Sequence, residues 1–408
     1  MRDTRRGTQR GSQPRNLKEM LAEAKNTSEL MVDLAYTALF YDSEDFSEEV
    51  FRLEERLNDL VYDMRILAIL AARSPADSEQ MAGILQIVHD IEKIGNAAND
   101  IAKIVVKKLG IPPELLQDIP EAEEIPARVS IHPESPLDGR TLNEVDLPTE
   151  TGMRPIALRS EDDWNFDPEP EDVLRAGDVL FLQGPPEGVS ELRALAGEPP
   201  APNAAPAVET TGTLSELEQA VDILIEMKNL SEVAVGLAYS ALLYYDAGLA
   251  REVVAIENEM DEMRYRLERW VLLAARHLED SSRLRGVLHL ATASETIADC
   301  AMEMVWVVEK GEEVHPVLSA AIEESDEVVL KLTVAPGSPA DGKSLEALQL
   351  ETETGMYALA VNRGGRWTYR PRDSYVLHGG DSLLATGAPE GLEPFARLFG
   401  AELEEVDE

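Results

Sequence analysis

The sequence contains two copies of one long unit. KNTSELMVDLAYTALFY begins at Lys25, and KNLSEVAVGLAYSALLY begins 203 residues later at Lys228. At the same offset, TETGM occurs at Thr149–Met153 and again at Thr352–Met356. The alignment continues without gaps from about Leu21 to Gly197 of the first copy. Two copies this similar are predicted to share one fold, so the chain should be a duplicated structure.

The first part of each copy has helical periodicity. Apolar residues recur every three or four positions in three successive segments, which is the spacing of one helix face. The third segment of copy one stops at Gly110, with Pro112-Pro113 beyond it, and this combination ends helices. Three amphipathic helices of about seven turns each predict an antiparallel three-helix bundle. Copy two repeats the pattern from about Leu217 to Glu309.

The last roughly 75 residues of each copy change to short strands separated by Gly and Pro turns. RVSI and KLTV predict edge strands, MRPIALR and MYALAVN middle strands, and VLFLQG and SLLATG final strands. SPLDGRTL and SPADGKSL predict a turn that leads into a short helix, and ELRALAG and PFARLFG predict a closing helix. The predicted fold class is therefore multi-domain α and α+β: two antiparallel three-helix bundles alternate with two small α+β domains.

The domain boundaries follow from these changes of period and from composition. The segment from Gly197 to Gly212 is rich in Pro and Ala and reads as a semi-rigid linker, and the first fifteen residues read as a disordered basic tail. The predicted parts are the tail, 1–15; a bundle, 16–125; an α+β domain, 126–197; the linker, 198–213; a bundle, 214–327; and an α+β domain, 328–402.

The charge excludes some partners. Asp and Glu number 78 against 37 Lys and Arg, for a formal net charge of −41. Nucleic acids and anionic membrane surfaces both require a basic face, so neither is predicted as a main partner. Only 10 of the 37 basic residues are Lys. An acidic, Lys-poor chain is typical of a salt-adapted cytoplasm, where a Debye length of about 3 Å in molar salt screens the self-repulsion.

The compartment is predicted to be the cytoplasm. The only cysteine, Cys300, cannot form an intrachain disulfide, and the N-terminus lacks the apolar region of a secretory signal. The longest mostly apolar, uncharged stretch runs from Val233 to Tyr245, well short of the roughly 20 residues of a membrane span. We therefore expect no transmembrane segment.

The α+β halves resemble the TrkA-C domain, also called RCK-C. The resemblance rests on SPLDGRTL at Ser135–Leu142, SPADGKSL at Ser338–Leu345, and Gly-Asp before each final strand. It implies a ligand-binding regulatory domain, usually dimeric, attached to potassium channels, transporters or antiporters. In several relatives the ligand is cyclic di-AMP, held between two such domains. The nucleotide-binding Rossmann domain of a whole RCK unit has no counterpart, because no strand–GxGxxG–helix occurs, so NAD or ATP is not predicted.

Three residues near the middle strands are the predicted ligand contacts. Arg363 and Asn362 in copy two, and Arg159 in copy one, could meet phosphate oxygens, since Arg makes bidentate phosphate contacts. The family's Arg-Gly after this strand is present at Arg363-Gly364, but copy one has Arg159-Ser160. The alternative is that these arginines only solvate the end of a strand.

The helical halves resemble PhoU domains, regulators associated with phosphate uptake that carry metal clusters on acidic pairs. Carboxylates four residues apart lie on one helix face and can chelate one cation. The predicted metal ligands of copy two are Glu257, Asp261, Glu295, Asp299 and Glu303. The equivalents in copy one are Glu54, Asn58, Glu92, Asn96 and Asp100, with less charge. In so acidic a chain, the alternative is a solvated helix face.

Other candidate residues have plain structural explanations. The six histidines show no metal-ligand spacing, and no catalytic constellation can be named, so an enzyme is not predicted. Cys300 is predicted to be a small core residue. Packing within the α+β domain is expected for Trp164 and Trp367, and helix-face packing for Tyr36, Tyr41, Tyr239 and Tyr244.

Three functions remain open at this level. The first is a cytosolic regulator of potassium or other cation transport that senses a small ligand, with cyclic di-AMP as the candidate, and acts on a membrane channel or transporter. The second is a metal-binding PhoU-type regulator of phosphate transport or signalling. The third is a scaffolding homodimer without a ligand. A homodimer is the expected assembly, and the sequence leaves open whether the α+β domains pair within or between chains.

Overall fold

A computed structural model describes residues 16–110, 124–161, 163–199, 214–276, 278, 281–311, 315–372 and 374–401. The predicted basic tail and nearly all of the predicted linker lie outside these residues. The duplication is visible throughout, because each element of copy one has an equivalent in copy two.

Each copy begins with the predicted three-helix bundle. Copy one has α1 (Leu17–Tyr41), α2 (Glu44–Ala71) and α3 (Pro75–Val106). The side chain of Asn16 caps α1 in a capping box with Glu19, and Ser74 caps α3 ahead of Pro75. These local contacts define where the two helices begin.

In each α+β domain, the four strands form one antiparallel sheet. The first sheet has the order β1 (Ile125–Ser130), β4 (Val179–Gly184), β2 (Arg154–Ser160), β3 (Asp163–Phe166), and short helices α4 (Leu142–Val145), α5 (Leu147–Thr151) and α6 (Gly188–Ala196) complete the domain. The predicted edge, middle and final strands are confirmed. The strand β3 was not predicted, because its four residues alternate only weakly between buried and exposed positions.

Copy two repeats this order. Its bundle is α7 (Leu214–Tyr244), α8 (Ala247–Ala274) and α9 (Arg285–Glu309), followed by an unpredicted helix, α10 (Pro316–Glu323), which packs against α1 and α7. Its sheet has the order β5 (Val328–Thr333), β8 (Ser382–Gly387), β6 (Met356–Arg363), β7 (Arg366–Tyr369), with α11 (Leu345–Leu348), α12 (Leu350–Thr354) and α13 (Leu392–Phe399).

The two bundles share one hydrophobic core. Helices α3 and α9 run antiparallel along each other, so that Gly110 at the end of α3 accepts a hydrogen bond from the backbone of Gly286 at the start of α9 (3.0 Å). Buried side chains of both bundles form a single continuous cluster. Cys300 is fully buried in this cluster, as predicted for a small core residue.

Each sheet lies between its own short helices and a bundle. In β4, Leu180 and Leu182 face the core of the α+β domain, whereas Phe181 faces the bundle and packs on Phe46 of α2 (ring centroids 4.9 Å apart). Trp164 also packs on Phe46 (5.1 Å). The expected packing role of Trp164 is therefore correct, but its partner is the bundle rather than its own domain alone.

The two α+β domains pair with each other within the chain. Helix α5 packs against α12, and the approach is closest at two glycines. A Cβ atom on Gly152 would lie 2.6 Å from the carbonyl oxygen of Glu351, and one on Gly355 would lie 2.8 Å from that of Pro148. Both glycines also have positive φ, 72° and 66°, which other residues adopt at a cost. The question left open by the sequence is thus resolved: the pairing is within one chain.

Candidate functional site

A cavity of about 1350 Å³ lies where the paired α+β domains meet the two bundles. Its wall includes residues of α1, α7 and both α+β domains, so all four domains contribute to this one surface. Acidic side chains dominate this wall: Glu29, Asp33, Glu124, Glu187, Glu232, Glu252, Glu327, Glu346 and Glu351, against Lys25, Arg370 and Arg372.

The duplicated K-N-x-S-E motif forms the helical wall of the cavity. In α1 the ammonium group of Lys25 donates to the carboxylate of Glu29 one turn later, and in α7 Lys228 does the same with Glu232, both at 2.7 Å. The hydroxyl of Ser28 donates to the carbonyl of Lys25 (2.8 Å). This i,i+4 pairing holds each lysine side chain along its helix, where little of it is exposed.

The two lysines also join the copies. Lys25 lies over the ring of Tyr239, 5.0 Å from its centroid, and Lys228 lies over the ring of Tyr36 at 5.2 Å. Each contact crosses from one bundle to the other, and a desolvated cation–π contact contributes about 2 kcal/mol. Tyr36 and Tyr239 therefore occupy equivalent positions in the two copies because each contacts a lysine of the other bundle. The expectation was only that they pack on a helix face.

One ion pair breaks the symmetry of the cavity. The guanidinium of Arg154, at the start of β2, pairs with Asp33 of α1 and so ties the first α+β domain to its bundle. The equivalent positions in copy two are Gly236 and Tyr357. Gly236 leaves room for Leu359, which would lie 3.4 Å from a Cβ atom there. At this position the first α+β domain is thus tied to its bundle by an ion pair, and the second by apolar packing.

The buried acidic groups of the cavity hold protons more tightly than usual. Burial, reinforced by the neighbouring charge of Glu327, raises the pKa of Glu29 to about 7. Burial, reinforced by Glu232 and Glu327, raises the pKa of Glu124 to about 8. The pKa of Asp33 is also raised, because burial outweighs the attraction of Arg154. Near neutral pH the cavity therefore exchanges protons with solvent.

We expect stability to fall as pH rises above neutrality. A carboxyl group whose folded pKa lies above its unfolded value contributes stability that is complete below the unfolded pKa, falls as pH rises above it, and is lost once pH has passed the folded pKa. Urea unfolding from about pH 7 to about pH 9, above the ordinary pKa of histidine, should show a free energy of unfolding that decreases up to about pH 8, the folded pKa of Glu124, and then levels off.

A matched pair of variants attributes this effect. Glu124→Gln should flatten part of the decrease, whereas Glu55→Gln, on the exposed face of α2, should leave it unchanged. A free energy of unfolding that stays level or increases over this range would contradict the assignment.

The predicted ligand residues lie away from this cavity. The guanidinium of Arg363 is held by Asp381 (2.8 and 2.5 Å) and by the carbonyl of Val376 (2.7 Å). The side chain of Asn362 accepts a hydrogen bond from Gly365 in the adjacent turn (3.1 Å), and Arg159 lies over Trp164 (5.3 Å). Arg363 and Arg159 thus sit at the strand ends far from α5 and α12, each with a partner inside its own domain. Ligand binding by these residues stays a prediction.

The predicted metal ligands of copy two do face one another across α8 and α9. Partial burial, reinforced by Asp299 and Asp261, raises the pKa of Glu257. However, the guanidinium of Arg264 lies 3.3 Å from Glu295 and 3.6 Å from Asp261.

The remaining acidic groups of this set also have protein cations or amides beside them. Glu303 pairs with Lys93 of α3 (2.9 Å), and in copy one Arg65 pairs with Glu92 (2.5 Å) while Asn58 donates to Glu54 (3.0 Å). Asn96 and Asp100 border a small cavity of about 320 Å³ beside α9. Across the residues that the structure describes, no group of three or more His, Cys, Asp or Glu is arranged to hold a metal ion. Metal binding stays a prediction.

The cavity itself was missed by the sequence analysis. Its signal was present, since K-N-x-S-E is repeated at Lys25 and Lys228 without change at four of five positions. Nothing local indicated that the two motifs lie near each other, because they are on different bundles and only the packing of the bundles brings them together.

The fold and the cavity define a class of multi-domain protein in which paired α+β domains lie over a cavity that two helical bundles complete. Family models identify the domains. The PhoU domain matches residues 21–105 and 224–307, and the TrkA-C domain matches residues 127–197 and 311–400. The chain therefore contains two PhoU domains and two TrkA-C domains. Both families are regulatory rather than catalytic.

Solved structures with these domains resemble the chain only distantly. PhoU from Pseudomonas aeruginosa is 15% identical, with 72% of this chain and 96% of that chain covered and a TM-score of 0.40. The phosphate transport system regulatory protein PhoU from Streptococcus pneumoniae is 13% identical, with 73% and 96% covered and a TM-score of 0.38. The GsuK RCK domain is 17% identical, with 69% and 64% covered and a TM-score of 0.18. TM-scores this low leave the family assignment resting on the sequence matches.

No curated protein matches the chain in sequence. In the part of the chain that the structure describes, no helix combines the length and the apolar character needed to cross a membrane.

Proposed function

We propose that the chain is a cytoplasmic regulator of potassium or other cation transport across a membrane, which senses a small ligand through its paired TrkA-C domains. The observation that carries this proposal is the intrachain pair itself. Helices α5 and α12 join the two TrkA-C domains directly above the cavity that the bundles complete. A change in the pair is therefore transmitted to α1 and α7.

The coupling runs through named contacts. The Arg154–Asp33 ion pair connects β2 to α1, and the Lys25–Tyr239 contact connects α1 to α7. A ligand that favours a different separation of α5 and α12 would displace Arg154 and so alter how the bundles meet. Such a ligand acts only to the extent that it binds one arrangement more tightly than the other. The partner that responds to the arrangement of the bundles would be a membrane channel or transporter for cations.

The candidate ligand is cyclic di-AMP. It carries two phosphates, so the acidic wall of the central cavity is an unfavourable place for it. We expect it at the far ends of β2 and β6 instead, near Arg363, Asn362 or Arg159, from where these strands lead back to α5 and α12.

Isothermal titration of cyclic di-AMP into the folded protein in molar KCl should give a Kd on the order of micromolar or tighter. Arg363→Ala should weaken binding. Asp381→Asn is the control, because it breaks the same ion pair and keeps the guanidinium. Equal binding by Arg363→Ala and the parent would remove the residue assignment, and a flat titration of folded protein would remove this ligand.

The alternative is metal-dependent regulation of phosphate transport or signalling by the PhoU domains. It is favoured by the carboxylates of α8 and α9 that face each other, Glu257 and Asp261 against Glu295 and Asp299. This function requires stoichiometric Fe, Zn, Mn or Mg in freshly purified protein. Elemental analysis therefore separates the two functions, since metal together with a flat cyclic di-AMP titration would favour the second.

A further inference from the structure

The C-terminal half of α2 carries an exposed apolar row. Tyr62, Ile66, Ile69 and Leu70 are 65%, 40%, 69% and 67% exposed. Their spacing of four, seven and eight residues from Tyr62 places them on one face of the helix. Single exposed apolar residues are ordinary, but a contiguous row marks an interaction surface. We refer to these four residues as the α2 row.

The basic tail of the chain is a poor cover for the α2 row. Residues 1–15 contain one large apolar side chain, Met1, so they offer almost nothing to bury against it. Copy two gives a second argument. Helix α7 begins at Leu214, six residues before Ala220, which is the equivalent of Leu17. Even so, Tyr265 and Leu272 on α8 remain 57% and 69% exposed. A longer first helix therefore does not cover this face.

The charges around the α2 row complement a second copy of themselves. Asp59 and Asp63 precede most of the row and Arg73 follows it, and all three are exposed. Among the described residues none of the three has an ion-pair partner in its own chain. Two α2 helices that cross antiparallel would place Arg73 of one copy near the acidic end of the other. A parallel crossing would place like charges together, so the pattern selects the antiparallel arrangement.

We propose that two copies of the chain associate through their α2 rows, antiparallel and about a two-fold axis. The contact is isologous, so it closes as a dimer. The two TrkA-C domains of one chain pair with each other, so their pairing does not form this dimer. One helix face buries less than the about 800 Å² per partner of a standard interface, so we expect a weak dimer with a Kd on the order of micromolar.

Sedimentation equilibrium over a roughly hundredfold range of concentration tests this, at an ionic strength where the Debye length is about 8 Å. The parent should change from monomer to dimer over the range. Ile69→Glu should remain monomeric, because it places a charge in the centre of the contact. Leu272→Glu is the matched control: this residue is the equivalent of Ile69, is equally exposed, and should leave the dimer intact.

A charge exchange tests the orientation. Asp63→Arg and Arg73→Asp should each weaken the dimer severalfold, and the double variant should restore it. A parent that is monomeric throughout overturns the proposal and leaves the α2 row to a different protein or a membrane. An equal loss of association in Leu272→Glu and Ile69→Glu overturns the isologous contact, because both bundles would then take part.

Discussion

Gly152→Ala is expected to separate the paired TrkA-C domains and to destabilise the whole chain by about 3 kcal/mol. Part of this comes from the left-handed backbone at φ 72°, which costs a residue with a Cβ atom about 1 kcal/mol. The larger part comes from the carbonyl oxygen of Glu351, 2.6 Å from the new Cβ atom. Because that oxygen belongs to the backbone of α12, relief requires α5 and α12 to move apart.

The duplication and the turns supply the controls for this experiment. Gly139→Ala has the same backbone cost, with φ 82°, but no atom lies within 4 Å of its Cβ position. This variant should therefore lower the free energy of unfolding by only about 1 kcal/mol. Gly355→Ala should behave like Gly152→Ala, since it meets the carbonyl of Pro148 at 2.8 Å. If urea unfolding shows equal losses of unfolding free energy for Gly152→Ala and Gly139→Ala, the close pairing of the domains does not contribute to stability.

Arg154→Met is expected to lower the free energy of unfolding by about 2–3 kcal/mol at neutral pH. Removing one partner of a buried pair leaves the other charge uncompensated, which costs roughly 3–5 kcal/mol when burial is complete. Asp33 is 12% and Arg154 is 28% exposed, so solvent screens part of this effect. Methionine keeps the length and the apolar contacts of the arginine, so the loss reports mainly on charge.

The pH dependence of this loss distinguishes charge from packing. Without Arg154, Asp33 loses the cation that most lowers its pKa and Glu124 loses one neighbouring cation, so both pKa values rise further above the ordinary range. Protonation then removes the unpaired charge, and the loss should shrink as pH falls from about 8 to about 5. The double variant Asp33→Ala with Arg154→Met should recover part of the stability.

A second ion pair between an arginine and a carboxylate gives the control for Arg154. Arg370 pairs with Glu226 at 2.5 Å, but both side chains are more exposed, at 30% and 43%. Arg370→Met should therefore cost less than about 1 kcal/mol. A loss for Arg154→Met no larger than that for Arg370→Met, or a loss independent of pH, would contradict the role given to Arg154.

The helices and strands were largely readable from the sequence, and the reason is local. Each bundle helix carries its apolar residues at helical spacing, and Gly110 with Pro112-Pro113 beyond it indicated the end of the third helix. The elements that were missed are short. The four residues of β3 and the single turn of α5 carry too few residues for a period to be recognised, and their stability comes from neighbouring strands and from α12.

The predicted site residues show what sequence motifs alone could not predict. Arg363 was selected because a guanidinium suits a phosphate, and the tertiary structure places Asp381 beside it instead. Glu295 was selected because its carboxylate lies one turn from that of Asp299, and the structure places Arg264 beside it. In both cases the sequence indicated what the side chain can bind. Its nearest partner, however, comes from a different element of the fold and could not be predicted from the sequence.

The sequence by itself determined the duplication, the alternation of PhoU and TrkA-C domains, and the positions of the main helices and strands. The duplication shows as similarity at an offset of 203 residues, the domain types follow from family resemblance, and the helices and strands depend on periodicity and turn chemistry within about ten residues along the chain. Only the tertiary structure decided which surfaces meet. Arg154 and Asp33 are 121 residues apart, and Lys25 meets a tyrosine of the other copy. Such contacts arise when buried faces of separate domains pack together. The sequence around one partner therefore does not indicate which residue the other partner is.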